Sequence, residues 1–287
     1  MGVPYAEVIG DPVAHSKSPL IHEFWLQKLG LEYDYRRTSI TPGILPAYLY
    51  AARENPLWCG ANLTIPLKRA ALSLMDELVF PARSIGAVNT IARKCRERPT
   101  LVGYNTDAQG FLEPLGDWPK EEAGVKIATL IGTGGAAAAV AWALRREGFI
   151  VFVYGRTAER AETFLRSFGE VDMDFAQSLD LLSNDAAGEC EDRPNVAELL
   201  VNATPLGMTG CPSLDVNVAS LPPGMIVYDL VYDPVETPLL RAARERGLRT
   251  ISGLDMLIGQ AALAFELFFA QPAPREYDAE LRERLTS

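Results

Sequence analysis

The sequence predicts an α/β protein of two domains, the second built on a doubly wound parallel sheet, and three observations carry that expectation. Its 287 residues make a prior of about two domains. Hydrophobic residues are 48% of the chain and charged residues 22%, enough to bury a sizeable core. Short apolar runs alternate with helical patterns, and strand–helix alternation at this spacing argues for parallel strands covered on both faces.

Residues 6–9 read as a strand. Ser18-Pro19 then opens a helix, with Ser18 as N-cap, Leu20, Phe24, Trp25 and Leu29 facing inward, and Gly30 closing it. Residues 58–63 form a second strand, followed by a helix over 67–78. Residues 88–92 and 100–104 flank the charged turn Arg96-Glu97-Arg98-Pro99 as a hairpin. From Val125 the pattern tightens: strand 125–131, Ala-rich helix 135–147, strand 149–154, helix 157–168, buried strands 199–202 and 225–230, helix 237–246 and strand 249–251. A boundary near Asp107 separates two such units, and a ligand cleft is expected between them.

The net charge of −10 argues against nucleic acid or an anionic membrane as the main partner. Residues 170–192 hold eight acids and no Lys or Arg, which reads as a solvated surface excursion. Cys59, Cys95, Cys190 and Cys211 lack CxxC spacing, so neither a metal site nor a disulfide framework is expected, and a reducing compartment fits. The first residues lack the basic and apolar regions of a signal peptide. The most apolar run, residues 256–270, is broken by Gln260 and Glu266 and falls short of the ~20 residues a bilayer span requires. A cytoplasmic protein acting on a small molecule is expected.

The run Ile131-Gly132-Thr133-Gly134-Gly135-Ala136-Ala137 ends a predicted strand and opens a helix, matching G-x-G-x-x-A with Ala137 in the third small position. Such glycines allow a tight turn and let N–H groups approach a pyrophosphate at the helix N-terminus, the signature of a Rossmann-type dinucleotide site. NAD sites usually carry an acid at the end of the next strand, ~20 residues on. Here that end reads Tyr154-Gly155-Arg156-Thr157, with Arg160 one turn further. Two guanidinium groups suit a 2′-phosphate, so NADP is the expected cofactor; the alternative is that both arginines merely begin a solvated helix.

Several further motifs stand in order: Ile9-Gly10-Asp11-Pro12-Val13-Ala14-His15-Ser16-Lys17-Ser18-Pro19, Asn62-Leu63-Thr64-Ile65-Pro66-Leu67-Lys68, Gly86-Ala87-Val88-Asn89-Thr90 and Gly103-Tyr104-Asn105-Thr106-Asp107. After the glycine turn come Asn202-Ala203-Thr204-Pro205-Leu206-Gly207-Met208, Asp229-Leu230-Val231-Tyr232 and the run Gly253 to Gln260. In these the chain resembles the shikimate dehydrogenases over nearly its whole length. The resemblance implies a substrate domain over 1–106, with C-terminal helices 253–287 packing back onto it, and a Rossmann-type NADP domain over 107–252 facing it across a cleft. It implies reversible reduction of 3-dehydroshikimate to shikimate by NADPH, a step of aromatic amino acid and chorismate biosynthesis, in a monomer or homodimer.

The resemblance also implies roles. Ser16 and Ser18 bracket a helix start, where hydroxyls and free N–H groups suit a carboxylate, and the family uses them for that of shikimate. Thr64 and Asn89 are neutral donor–acceptors suited to ring hydroxyls, while Tyr232 and Gln260 resemble residues that complete the substrate cup. The alternative for each is core hydrogen bonding without a ligand. The cofactor is assigned Gly132, Thr133, Gly134, Gly135, Ala136, Arg156, Thr157, Arg160, Thr204, Leu230, Gly253 and Met256. Lys68 and Asp107 resemble the catalytic pair: hydride transfer to a ketone needs a group to supply the hydroxyl proton. Both histidines, His15 and His22, lie near the N-terminus and read as structural. The chain departs from the family at Gly155, often Asn, and at Thr133, often Ala. Competing readings are a quinate or aminoshikimate dehydrogenase, a non-catalytic sensor on the same scaffold, and an NADP enzyme of one-carbon metabolism.

Overall fold

The computed structural model describes residues 2–95, 97–118, 124–169, 175–182 and 196–286. The acidic stretch expected at 170–192 therefore lies outside the described residues except for 175–182. The chain forms two compact units, one from residues up to Gly110 together with those from Ile258, the other from Phe111 to Leu257.

The first unit contains β1 (Tyr5–Gly10), α1 (Ser18–Leu29), β2 (Asp34–Ser39), α2 (Leu45–Glu54), β3 (Trp58–Leu63), α3 (Leu67–Ala70), β4 (Glu77–Leu78), α4 (Ala82–Ile85), β5 (Thr90–Cys95) and β6 (Pro99–Tyr104). Its sheet runs β2-β1-β3-β5-β6-β4. β1 is parallel to β2 and β3, but the β5–β6 hairpin is antiparallel within itself and to β3, so this sheet is mixed. Ile9, Leu45, Leu49, Trp58, Leu67 and Ile91 form its core against α2 and α3.

Three local expectations are corrected here. In α1 the buried stripe runs through Ile21, His22, Trp25 and Leu26, spaced three and four apart, with Phe24 beside it. Leu20 falls on the opposite side and Leu29 at the last position, and both are exposed (37% and 39%). Ser18 is the first helical residue rather than the cap; Lys17 holds the cap position without a side-chain bond, and the Ser18 N–H donates to Ser16 Oγ (3.3 Å). The helix expected over 67–78 ends after one turn. Asp76 pairs its N–H with the Leu101 carbonyl (2.9 Å) and its carboxylate with the Leu101 N–H (2.7 Å), drawing the segment alongside β6 as β4.

α5 (Asp107–Leu112) follows, and the second unit carries β7 (Val125–Ile131), α6 (Gly135–Arg146), β8 (Ile150–Gly155), α7 (Ala158–Arg166), β9 (Phe175–Ser178), β10 (Val196–Asn202), β11 (Ile226–Asp229), α8 (Pro238–Glu245) and β12 (Arg249–Ser252). Every pairing is parallel, in the order β9-β8-β7-β10-β11-β12. That is the doubly wound 3-2-1-4-5-6 order, which reverses between its first and fourth strands. All the alanines of α6 but Ala136 are buried, their small side chains permitting close approach to the sheet. Thr157 and Thr237 cap α7 and α8, accepting from the N–H groups of Arg160 and Leu240. α9 (Gly253–Phe269) and α10 (Asp278–Thr286) complete the chain.

Candidate active site

In the first unit the sheet register gathers the polar residues at one edge. Ile9 pairs with Leu63, Asn62 with Thr90, and Thr90 with Tyr104. The chain therefore leaves β1 toward Ser16 and Ser18, leaves β3 toward Thr64 and Lys68, enters β5 through Asn89, and leaves β6 toward Asp107, all from the same end of the sheet. The Thr64 N–H bonds the Ile9 carbonyl (3.0 Å), and the Val88 N–H bonds the carbonyl of Lys68 (2.8 Å).

Lys68 Nζ donates to Asp107 Oδ2 at 2.6 Å. The other carboxylate oxygen, Oδ1, accepts from Asn89 Nδ2 (2.8 Å), so both oxygens of Asp107 are fixed. Asn89 Nδ2 also donates to Thr106 Oγ1 (2.9 Å), while its Oδ1 accepts from the Thr106 N–H (2.8 Å) and from Thr90 Oγ1 (3.0 Å). With two donors and two acceptors engaged and 2% of its surface exposed, the Asn89 amide is committed to the protein. Behind it, Asn62 Nδ2 donates to Thr90 Oγ1 (3.0 Å) and Asn62 Oδ1 accepts from Tyr35 OH (2.6 Å). Asn105 Oδ1 accepts from the N–H groups of Asp107 and Ala108, satisfying the start of α5.

Gln260, on α9, sits beside this network, within 3.5 Å of Thr106 Oγ1 through its Oε1. Gly110 makes that approach possible: a Cβ there would lie 2.5 Å from the Gln260 backbone nitrogen. Ser16 Oγ donates to Ser18 Oγ (3.2 Å) at the start of α1, so the two hydroxyls form one small polar patch over the helix N–H groups. The structure thus brings Ser16, Ser18, Thr64, Lys68, Asn89, Asp107 and Gln260 into one unit. Tyr232 belongs to the other, following β11; burial, then the charge of Asp233, raises its hydroxyl pKa. Of the histidines, His15 is exposed, and His22 is fully buried with neither ring nitrogen bonded.

In the second unit the glycine turn leaves β7 where the strand order reverses. The Gly132 N–H bonds the Tyr154 carbonyl and the Ala203 N–H bonds that of Ile131, both at 2.8 Å. Gly132 has φ +116°, and a Cβ would stand 2.9 Å from the Ala203 carbonyl oxygen, so the fold itself requires glycine. Gly134 differs: its φ is −85°, and a Cβ would meet nothing within 4 Å. That open space beside free N–H groups at the start of α6 fits a dinucleotide pyrophosphate. Arg156, Thr157 and Arg160 are exposed where β8 meets α7, and neither arginine pairs with an acid among the described residues. A Cβ on Gly155 would fit tightly, 3.0 Å from the Thr157 carbonyl oxygen and 3.3 Å from the Ala161 Cβ of α7. Thr204 Oγ1 donates to Asn202 Oδ1 (2.7 Å); Asn202 in turn donates to Asp229, whose carboxyl pKa is raised by burial. Gly253 opens α9 against the Leu230 backbone, and Met256 is buried one turn on.

Residues 8–91 match the shikimate dehydrogenase substrate-binding domain, and residues 253–280 match the shikimate 5′-dehydrogenase C-terminal domain. The chain is 48% identical to the shikimate dehydrogenase (NADP(+)) of Sphingopyxis alaskensis over 285 residues, covering 99% of this chain and 97% of that protein. Among solved structures it is similar to shikimate 5-dehydrogenase from Thermus thermophilus in complex with NADP(H) and shikimate. There the TM-score is 0.81 at 38% identity, covering 98% of this chain and 99% of that one. It is also similar to a quinate dehydrogenase from Corynebacterium glutamicum in complex with NAD, with TM-score 0.80 and 29% identity over 98% of this chain and 99% of that one.

Proposed function

This chain belongs to the shikimate dehydrogenase family, and from that premise we propose which of its side chains carry the NADP-dependent interconversion of 3-dehydroshikimate and shikimate. The observation that carries the proposal is the 2.6 Å contact of Lys68 Nζ with Asp107, whose second oxygen Asn89 holds in place.

Bound NADPH supplies the hydride that reaches the ketone carbon. Ser16 and Ser18, at the N-terminal end of α1, hold the substrate carboxylate. Thr64 and Gln260 bond ring hydroxyls. Lys68 delivers a proton from Nζ to the ketone oxygen as it becomes a hydroxyl, and takes it back in the oxidation. Asp107 sets the direction of Nζ. Asn89 orients Asp107, and contacts substrate only by exchanging one of its four internal bonds. Gly132, Thr133, Gly134, Gly135 and Ala136 hold the cofactor pyrophosphate, and Arg156, Thr157 and Arg160 the 2′-phosphate, while Thr204, Leu230, Gly253 and Met256 line the rest of its site. A cytoplasmic setting belongs to the same proposal, in keeping with the lack of CxxC spacing among Cys59, Cys95, Cys190 and Cys211.

Lys68→Ala is expected to lower kcat by ~10²–10⁴ while shikimate still binds. Asp107→Asn keeps the shape and removes the charge, so kcat should fall and the pH–rate profile shift. The double variant should be little worse than Lys68→Ala, because residues acting as a unit are non-additive. A Lys68→Ala enzyme with kcat within a few-fold of the parent, or losses that multiply in the double variant, would overturn these roles.

A further inference from the structure

We infer that Lys17 and Arg37 are positioning residues for the carboxylate-binding turn, holding it from outside the substrate site. The inference rests on the assignment of Ser16 and Ser18 to the substrate carboxylate.

Inside the turn the Ser16 N–H bonds the Val13 carbonyl (3.1 Å), the Ser18 N–H bonds Ser16 Oγ (3.3 Å) and the two hydroxyls bond each other (3.2 Å). Two cations hold the turn from outside. Arg37, on β2, forks onto the Ser16 carbonyl oxygen with Nε at 3.1 Å and Nη2 at 2.8 Å. Two donors on one acceptor fix both the position and the tilt of that peptide. Lys17, between the serines, sends Nζ the other way, to the Leu285 carbonyl at 2.6 Å. Leu285 stands in the last turn of α10, where carbonyls lack helical partners and the dipole is negative, a natural seat for an ammonium. α10 is itself anchored, since Leu281 and Leu285 are buried.

Both cations thus direct their donors to main-chain carbonyls. Neither pairs with an acid among the described residues. The arrangement gives preformed spacing of two hydroxyls, as bidentate capture of a carboxylate requires, and a positive field that adds to the start of α1. A separate tether joins α10 to the far end of α1: Lys28 Nζ lies 2.6 Å from Glu280 and 4.4 Å from the centre of the Tyr277 ring. It provides an internal control, because it docks the same helix without touching the turn.

The test is steady-state kinetics with shikimate and NADP⁺ on the full chain, for Lys17→Met, Lys17→Arg, Arg37→Met, Lys28→Met and Ser16→Ala. Lys17→Met and Arg37→Met should each raise KM for shikimate about fivefold to tenfold, with kcat and the KM for NADP⁺ within about twofold. Lys17→Arg should restore most of the lost affinity, and Lys28→Met should leave KM unchanged. Unchanged KM in Lys17→Met and Arg37→Met, or an equal rise in Lys28→Met, would overturn the inference. Should Lys17→Met fail to fold, Arg37→Met, at an exposed residue, decides by the same readout. Ser16→Ala separates the two levels: if it leaves KM for shikimate unchanged, the carboxylate assignment itself fails, whatever the cation variants do.

Discussion

His22 offers a stability test whose size follows from its surroundings. The ring is fully buried, stacked on Tyr35 at 4.1 Å and enclosed by Trp25, Phe265, Phe268 and Phe269. Burial lowers its pKa from 6.5 to about 3, offset only in part by the neighbouring Asn62 amide. The folded chain therefore keeps the ring neutral where the unfolded chain protonates it. Between 6.5 and about 3 the unfolded state binds more protons, so stability falls as pH falls, by up to ~1.4 kcal/mol per pH unit. From about pH 7.5 to about pH 5 the single ring should cost ~2 kcal/mol. His22→Leu removes this titration while filling most of the space. Its stability at neutral pH balances lost stacking against two unbonded nitrogens, so the pH difference is the cleaner quantity. Urea unfolding of parent and variant, at both pH values, should show the variant gaining ~2 kcal/mol on the parent upon acidification. Carboxylate titrations are common to both chains and cancel. A gap between parent and variant that does not change with pH would mean that His22 titrates alike in both states, and the burial argument would fail.

Arg156→Asp should weaken NADP⁺ far more than NAD⁺, because it sets a carboxylate against the 2′-phosphate. A charge-assisted hydrogen bond is worth ~1.5–3 kcal/mol, so roughly tenfold to over a hundredfold in KM is expected, and equal losses for both cofactors would show that Arg156 serves the fold instead. Gly134→Ala should leave the melting temperature unchanged and raise KM for NADP⁺ but not for shikimate, since only a ligand meets the new methyl. Gly132→Ala, at φ +116° and against the Ala203 carbonyl, should instead lower the melting temperature. The reverse pattern would show that the turn was misread.

The second unit was the more legible in the sequence, and the reason is chemical. Its inner strands β8, β10 and β11 are short, largely buried apolar runs, and Thr157, Thr237 and the glycines punctuate the pattern, so local pattern and tertiary role agree there. β2 escaped because its sequence, Asp-Tyr-Arg-Arg-Thr-Ser, buries only Tyr35 fully, as befits an edge strand. The helix read over 67–78 failed because leucine spacing cannot show that Asp76 pairs with Leu101 across the sheet. At the site, motif order brought out the residues proposed to touch ligands. The residues that hold them did not stand out: Asn105 under α5, Gly110 behind Gln260, Arg37 on the Ser16 carbonyl. Each acts through a main-chain atom of a distant segment, and such contacts leave no periodic trace. Asn89 was legible as a neutral donor–acceptor suited to ring hydroxyls, but its tie to Asp107 depends on the register of β5 against β6. Glu7 is buried in a strand of apolar pattern, where Tyr48, Thr38 and Trp58 each donate to it at 2.5 Å.

The most direct test of the central claim is the initial rate of oxidation of shikimate and of quinate, each with NADP⁺ and with NAD⁺, on the one purified chain. Shikimate with NADP⁺ should give the highest kcat/KM of the four pairs. A higher kcat/KM for quinate would contradict the substrate assignment built on Ser16 and Ser18, and a higher value with NAD⁺ would contradict the cofactor assignment built on Arg156 and Arg160.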